Sequence, residues 1–530
     1  MIGKIHLFVF IYLCGFHGIS QTFVWTKKNR APAPHIGLAC DKAGFIYDYG
    51  NNLNSVLSYP DANNPDTVGT YIQKFSSTGE LYKTIRWKIP FYISKLIYDG
   101  DVSFYFTGCF RGNINISGKN LNSQGSYDGM FGKMDLDGNL LWINTLGGKG
   151  RDKLNDICLD AKTKSLFITG NADTLFINGK FISIGSKKSI LVIQCSTEGV
   201  LQNTKRFGFD NDEENPGNEG LEIKTDKNGN VFLAGMRNGK KTASRGNASA
   251  AGLYVWKLNE NLDTLWSRFI IGPECYYGKK YGSLRIMDNG DACIHRFCAQ
   301  KYGGAGEIVR LNNSDGEIKW TYGKQCQKGY EDIYTERNIL FLIGNEGANI
   351  GPSPECNQGY TVIKTFDEKE ELLTEVRLQK AELKNIISDA YGNVYVAGEF
   401  SEPFAVIGNE VVPGDSLMHG VLPYYFTTFI SRLSYKNRNM ETGLQLNKSK
   451  SEPNYSIYPN PAKNTIYIGF PSDCKYKVRV RDITSHIIEE KEFNEKNASL
   501  NISKLSTGVY FIGIEKDGKE TSYKFIKQAQ

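Results

Sequence analysis

The side chains that most often carry acid–base or metal chemistry are few and scattered in this 530-residue chain. His35, His295, His419 and His486 form no HExxH pattern or other metal-ligand spacing. No GxSxG elbow is present, so a hydrolase of that type has no support. His295 falls in a run that reads as an inner strand, which predicts a hydrogen-bonded core histidine. The stretch from Asp210 to Gly217 is acidic, and Asp210, Asp212 and Glu214 could offer oxygen ligands to a structural calcium ion. It lacks the glycine and spacing of an EF-hand loop, so a solvated acidic loop is the first expectation. No other cofactor is expected. Two loops mix basic and aromatic groups suited to stacking on sugars or anchoring a protein: Arg151 with Asp152, and Tyr276 and Tyr277 with Lys279.

The elements that must hold these residues begin with a leader. Residues 1–20 read as a secretory signal peptide: Lys4, an apolar run from Leu7 to Phe16, then the small residues Gly18 and Ser20, with cleavage before Gln21. The run is too short to span a bilayer, which takes ~20 apolar residues. Export places the later cysteines where disulfides can form. Their spacing leaves connectivity open, and a bridge is expected among Cys275, Cys293, Cys298, Cys326 and Cys356, with buried thiols elsewhere.

Two hairpin patterns then alternate along the chain. The first is an acidic residue, a tight turn, a β-rich run and a glycine, clearest from Asp226 to Gly235 and from Asp389 to Gly398. The second is a β-run ending near Lys or Arg, a polar turn and a strand that often carries Trp, fullest from Lys133 to Trp142. Asx-Gly turns suit such reversals because Asn, Asp and Gly tolerate positive φ. Seven copies of each hairpin predict seven four-stranded sheets at a period of roughly 50–65 residues, hence an all-β, seven-bladed β-propeller over 21–446. The last copy lacks a convincing fourth strand after Arg432. The Trp-bearing segment Thr22 to Lys27 is expected to supply it and to close the ring.

The segment Asp128 to Asp152, with its continuation to Asp160, resembles the SBBP β-propeller repeat. That resemblance covers roughly 22–446 and implies architecture, not a reaction. After a polar linker at 447–454, residues 455–530 alternate as short strands and predict a small β-sandwich. Tyr458-Pro459-Asn460-Pro461, the Leu-Ser-Thr-Gly508-Val-Tyr510 core and the basic-apolar ending with Lys524 and Lys527 resemble the type A C-terminal sorting domain of type IX secretion. At Ser485-His486 the chain departs from the glycine turn usual there. The resemblance implies a Gram-negative source, passage across the outer membrane by the type IX machinery, removal of this domain, and release or surface anchoring.

Lys and Arg total 63 against 57 Asp and Glu, so no strong basic balance points to nucleic acid. The reading is therefore a secreted or cell-surface binding protein whose long loops face an extracellular protein or glycan. Two other readings stand beside it: a carbohydrate-active hydrolase or lyase using carboxylates or Tyr near the channel, and a quinone-cofactor propeller.

Overall fold

Period-two apolar runs bounded by Asx and glycine turns fold here as antiparallel strands, with no helix among the described residues. The structure is a computed structural model. It describes residues 19–29, 35–52, 69–172, 175–177, 180–182, 189–207, 218–237, 252–271, 283–300, 303–323, 329–336, 339–346, 360–378, 381–389, 391–400, 404–407, 410–413, 416–419, 422–425, 427–437, 456–458, 462–470, 474–482, 486–495, 497–516 and 519–528. The chain divides into two units, Met1–Arg438 and Asn439–Gln530. The expected linker at 447–454 lies outside the described residues.

In the first unit the described strands make seven four-stranded antiparallel sheets. Sheet one runs His35–Cys40, Ile46–Asn52, Gly69–Phe75 and Leu81–Trp87. Five more follow in chain order. Their first strands are Phe91–Tyr98, Lys153–Leu159, Glu219–Thr225, Leu284–Ile286 and Gly329–Glu336. Sheet seven begins with Glu382–Ser388 and is completed by a strand from the other end of the unit: Ile19–Asn29 pairs antiparallel with Thr427–Asn437. The residues after Arg432 prolong the third strand, and the N-terminal segment supplies the fourth. That strand begins at Ile19, two residues inside the expected leader. Each first strand packs against the first strand of the next sheet, and Glu382–Ser388 packs against His35–Cys40. The arrangement is propeller-like.

The sequence pattern has local causes. In the clearest copies the acidic residue at the head of the tight turn caps it. Asp226 Oδ1 accepts the amides of Asn228 and Asn230 at 2.9 Å, and Asp389 Oδ1 does the same for Tyr391 and Asn393. Asp41 and Asp389 also take the Tyr47 and Tyr395 hydroxyls at 2.9 and 3.0 Å. The basic residue near the end of a third strand lies across from an aromatic of the second. Lys74 sits 5.3 Å over Tyr47, Lys133 4.9 Å over Tyr105 and Lys257 5.3 Å over Phe232. Such cation–π contacts contribute about 0.5–2 kcal/mol.

Between sheets the apolar faces bury against one another. Tyr49, Phe91, Phe106 and Met130 share one cluster, and Trp25, Leu38, Phe75 and Ile430 share another that joins sheet seven to sheet one. Each fully buried side chain of this size stabilises by about 1.5–3 kcal/mol. The fourth-strand Trp extends this contact. Trp266 donates its Nε1–H to Asn313 O of the following sheet at 3.0 Å and lies on Gly316, where an added Cβ would come within 2.6 Å of the ring. Trp25 repeats it on sheet one: Nε1 to Ser77 O at 3.0 Å, over Gly79, with 2.8 Å to an added Cβ. Both glycines also have positive φ, at 72° and 83°, so glycine satisfies two demands there. Trp87 and Trp142 face the corresponding turns of sheets two and three.

In the second unit a three-stranded and a four-stranded sheet share one core that includes Ile466, Ile468, Val478, Val480, Leu500 and Ile512.

Candidate functional site

The innermost strands carry a repeated irregularity. In six of the seven, one extra residue bulges the strand near its start, between His35 and Gly37, Ile93 and Lys95, Leu154 and Asp156, Gly220 and Glu222, Tyr330 and Asp332, and Leu383 and Asn385. A bulge re-aims the side chain that follows it. Here it sets Lys95, Asp156, Glu222, Asp332 and Asn385 at equivalent places around the centre.

These groups form a chain of hydrogen bonds and ion pairs from sheet to sheet. Asp156 Oδ2 accepts the amide of Ile223 at 2.8 Å and binds Lys224. Glu222 Oε2 accepts the amide of Leu284 at 2.7 Å and pairs with Arg285 at 3.3 Å and Lys224 at 3.5 Å. Arg285 reaches Asp332 Oδ1 at 3.1 Å, and Asp332 Oδ2 accepts the amide of Ile386 at 3.2 Å. Ser283 also donates to Asp332. Burial alone would raise the Glu222 carboxyl, but the Lys224, Arg285 and Lys95 charges hold it below the ordinary glutamate range. In sheet one the same task falls to a hydroxyl. Gly37 leaves room for the Tyr49 ring, whose Oη accepts the amide of Leu96 at 3.3 Å. The carboxylates Asp156, Glu222 and Asp332 therefore staple neighbouring sheets through backbone amides.

A cavity of about 310 Å³ lies against these strands. Lys95, Lys224, Arg285 and Asp332 line its polar part, and Leu38, Leu96, Ile97, Ile386 and Ile387 its apolar part. Lys95 is the one bulge position where a cation replaces an acceptor. Sequence reading missed this set because no single copy marks it; aligning the residues that begin each copy's first strand would have brought it out.

Of the expected binding residues, Arg151 is exposed, forms a parallel bridge with Tyr127, and holds its guanidinium 5.0 Å from that ring. Arg111 lies 5.9 Å from the same ring. Asp152 is instead buried: its amide donates to Tyr127 O and its Oδ2 accepts the Gly148 amide, both at 2.8 Å. It shapes the loop that presents Arg151 and is not itself presented. Tyr276, Tyr277 and Lys279, and the acidic Asp210, Asp212 and Glu214, lie outside the described residues. Among the described residues no group of three metal-ligating side chains occurs.

His295 is buried in the strand Ala292–Gln300, and burial pushes its pKa down to about 3. His486 is exposed, and its amide donates to Asp482 Oδ1 at 3.0 Å. Cys40, Cys109, Cys158, Cys195 and Cys293 are unbridged thiols, and burial pushes those of Cys195 and Cys293 up to about 12. Cys293 is thus not part of the expected disulfide; Cys275, Cys326 and Cys356, and the side chain of Cys298, lie outside the described residues.

In the second unit Tyr458 ends the strand Ser456–Tyr458, opposite Tyr467, while Pro459, Asn460 and Pro461 are outside the description. Gly508 opens the strand Gly508–Lys516, opposite Lys527. Tyr510 stacks on Phe525 at 5.5 Å and donates to Ser506 O at 2.9 Å. Lys524 pairs in register with Phe511. Lys527 is buried, donates to Gln528 O at 2.7 Å and bridges Ala462.

No curated protein matches the sequence. Among solved structures the chain is similar to Kuenenia stuttgartiensis hydrazine synthase, with 9% identity over 74% of this chain and 80% of that one at a TM-score of 0.35. It is also similar to the Dos1 propeller, with 9% identity over 78% and 95% at 0.40. A luciferin-regenerating enzyme shows 10% identity over 79% and 97% at 0.31. Residues 456–528 match the secretion system C-terminal sorting domain, which directs export by type IX secretion to the cell surface or extracellular space.

Proposed function

We propose that the first unit is a seven-bladed β-propeller of the SBBP repeat type, closed by its own N-terminal strand. In this reading the sorting domain is a small β-sandwich. The exported protein is a binding module that presents its long-loop face to an extracellular protein or glycan. The observation that carries this reading is the contrast between the two kinds of polar group. The central carboxylates are engaged in stapling sheets, whereas Arg111 and Arg151 flank Tyr127 on an exposed loop surface. Guanidinium groups around an aromatic ring suit stacking on sugars and recognition of carboxylate or sulfate groups.

The test is binding of the full exported chain to panels of extracellular-matrix proteins and acidic glycans. A saturable partner whose affinity falls about tenfold or more in Tyr127→Ala with Arg151→Ala supports the reading. Absence of binding across both panels, or binding untouched by the double variant, counts against a site at this cluster.

A further inference from the structure

We infer that the central cavity is a second binding site, distinct from the loop face, for a small monocarboxylate with an apolar body. Three features converge on it. Its volume of about 310 Å³ is at the lower end of small-molecule sites, which span roughly 300–1,000 Å³. Its walls include Leu38, Leu96, Ile97, Ile386 and Ile387, so they favour hydrocarbon. Its charged lining is three cations, Lys95, Lys224 and Arg285, against one carboxylate, Asp332.

The cations are not equivalent. Lys224 is held by Asp156 and Glu222, and Arg285 by Glu222 and Asp332, so both are already paired. Lys95 has no hydrogen bond or ion pair among the described residues. It acts on Glu222 only through space. Its ammonium keeps three donors for an incoming acceptor. At Asp156, Glu222 and Asp332 the bulge aims an acceptor at a neighbouring amide, but a lysine there cannot accept. A side chain with no part in joining sheets, at the polar end of an apolar cavity, matches a carboxylate head with a hydrocarbon tail. Neutral ligands of the same shape would leave the ammonium without a compensating charge.

The experiment uses the full exported chain and four probes: hexanoate, phenylacetate and their neutral amides. Binding is followed by ligand-observed NMR and calorimetry at low salt. The expected result is saturable millimolar or tighter binding of one or both acids, at least about tenfold weaker binding of the matching amide, and a similar loss in Lys95→Met with recovery in Lys95→Arg. Ile97→Trp, which fills the cavity and leaves Lys95 in place, is expected to block the acids too. Should Lys95→Met not fold, the Ile97→Trp variant and the acid–amide contrast decide. Equal binding of acids and amides, unchanged affinity in the folded variants, or no binding of either acid overturns the inference. Loop-face binding is measured on the same Lys95→Met protein, so either reading can fail without the other.

Discussion

Two junctions between consecutive sheets fill the same slot with different chemistry. Between sheets four and five, Trp266 lies flat on Gly316 and donates to Asn313 O. Between sheets three and four the fourth strand, Leu201–Phe207, has no Trp. There the facing turn carries Leu262 in place of glycine, fully buried at a φ of 67°. Lys205 and Asn203 donate to the carbonyls of Leu262 and Asn261. A third solution joins sheets five and six, where Arg310 ties Asp291 to Glu370 at 2.9 Å on each side. Where the ring lies on the turn, as Trp266 does on Gly316, a Cβ has no room; where the strand has no Trp, a leucine fills the space despite backbone strain of about 1–2 kcal/mol.

The largest break is expected where sheet seven depends on a distant segment. Trp25→Ala removes both the Ser77 bond and the packing on Gly79. It should cost about 3–5 kcal/mol, read as a lowered urea midpoint of the first unit. An unchanged midpoint would mean that Ile19–Asn29 contributes little to the stability of sheet seven.

Arg310→Met comes next. It leaves Asp291 buried with Lys319, at 3.1 Å, as its one charged partner among the described residues, and a loss of about 2–3 kcal/mol is expected. Asp291 sharpens this junction under acid. Burial would raise its carboxyl, yet the Asn313 amide, Lys319 and Arg310 hold it below the ordinary aspartate range. Its contribution is present at neutral pH and is lost as acid protonates it.

Leu262→Gly tests the filled slot. Relief of positive φ favours the variant and loss of a buried side chain opposes it, and the second effect is larger. A net destabilisation of about 1–3 kcal/mol should appear in the same urea titration. Gly316→Ala should destabilise more than Gly392→Ala, because both have positive φ but nothing lies within 4 Å of an added Cβ at Gly392.

The smallest effect belongs to His295. Its folded pKa of about 3 is below the unfolded value of ~6.5, so its stabilisation is complete above ~6.5 and declines as pH falls toward 3. At pH ~5.5 the loss is about 1 kcal/mol, and His295→Leu should flatten that part of the stability–pH curve.

Much of this was legible in the residues. The acid-turn-glycine pattern marks the first hairpin because Asp oxygens cap the turn, as Asp226 and Asp389 do. The Lys–Trp pattern marks the second because both side chains reach an aromatic or a turn across the fold. The N-terminal strand was legible from a missing partner, and the sorting domain from its motif order. Nothing in the sequence separates Arg151 from Asp152, yet the first is exposed and the second turns inward to hold the loop. The central set was not legible in any single copy. Asp156, Glu222 and Asp332 are separated by dozens of residues, and each looks like an ordinary strand carboxylate until a bulge turns it toward the next sheet.

By itself the sequence determined the strands, their turns, their repetition and the export address, since these depend on contacts within a few residues or on a linear motif. Only the tertiary structure decided which polar groups are engaged and which remain available. That choice depends on distances between sheets that no local pattern encodes. It is what separates the stapling carboxylates from Lys95, and the buried Asp152 from the exposed Arg151.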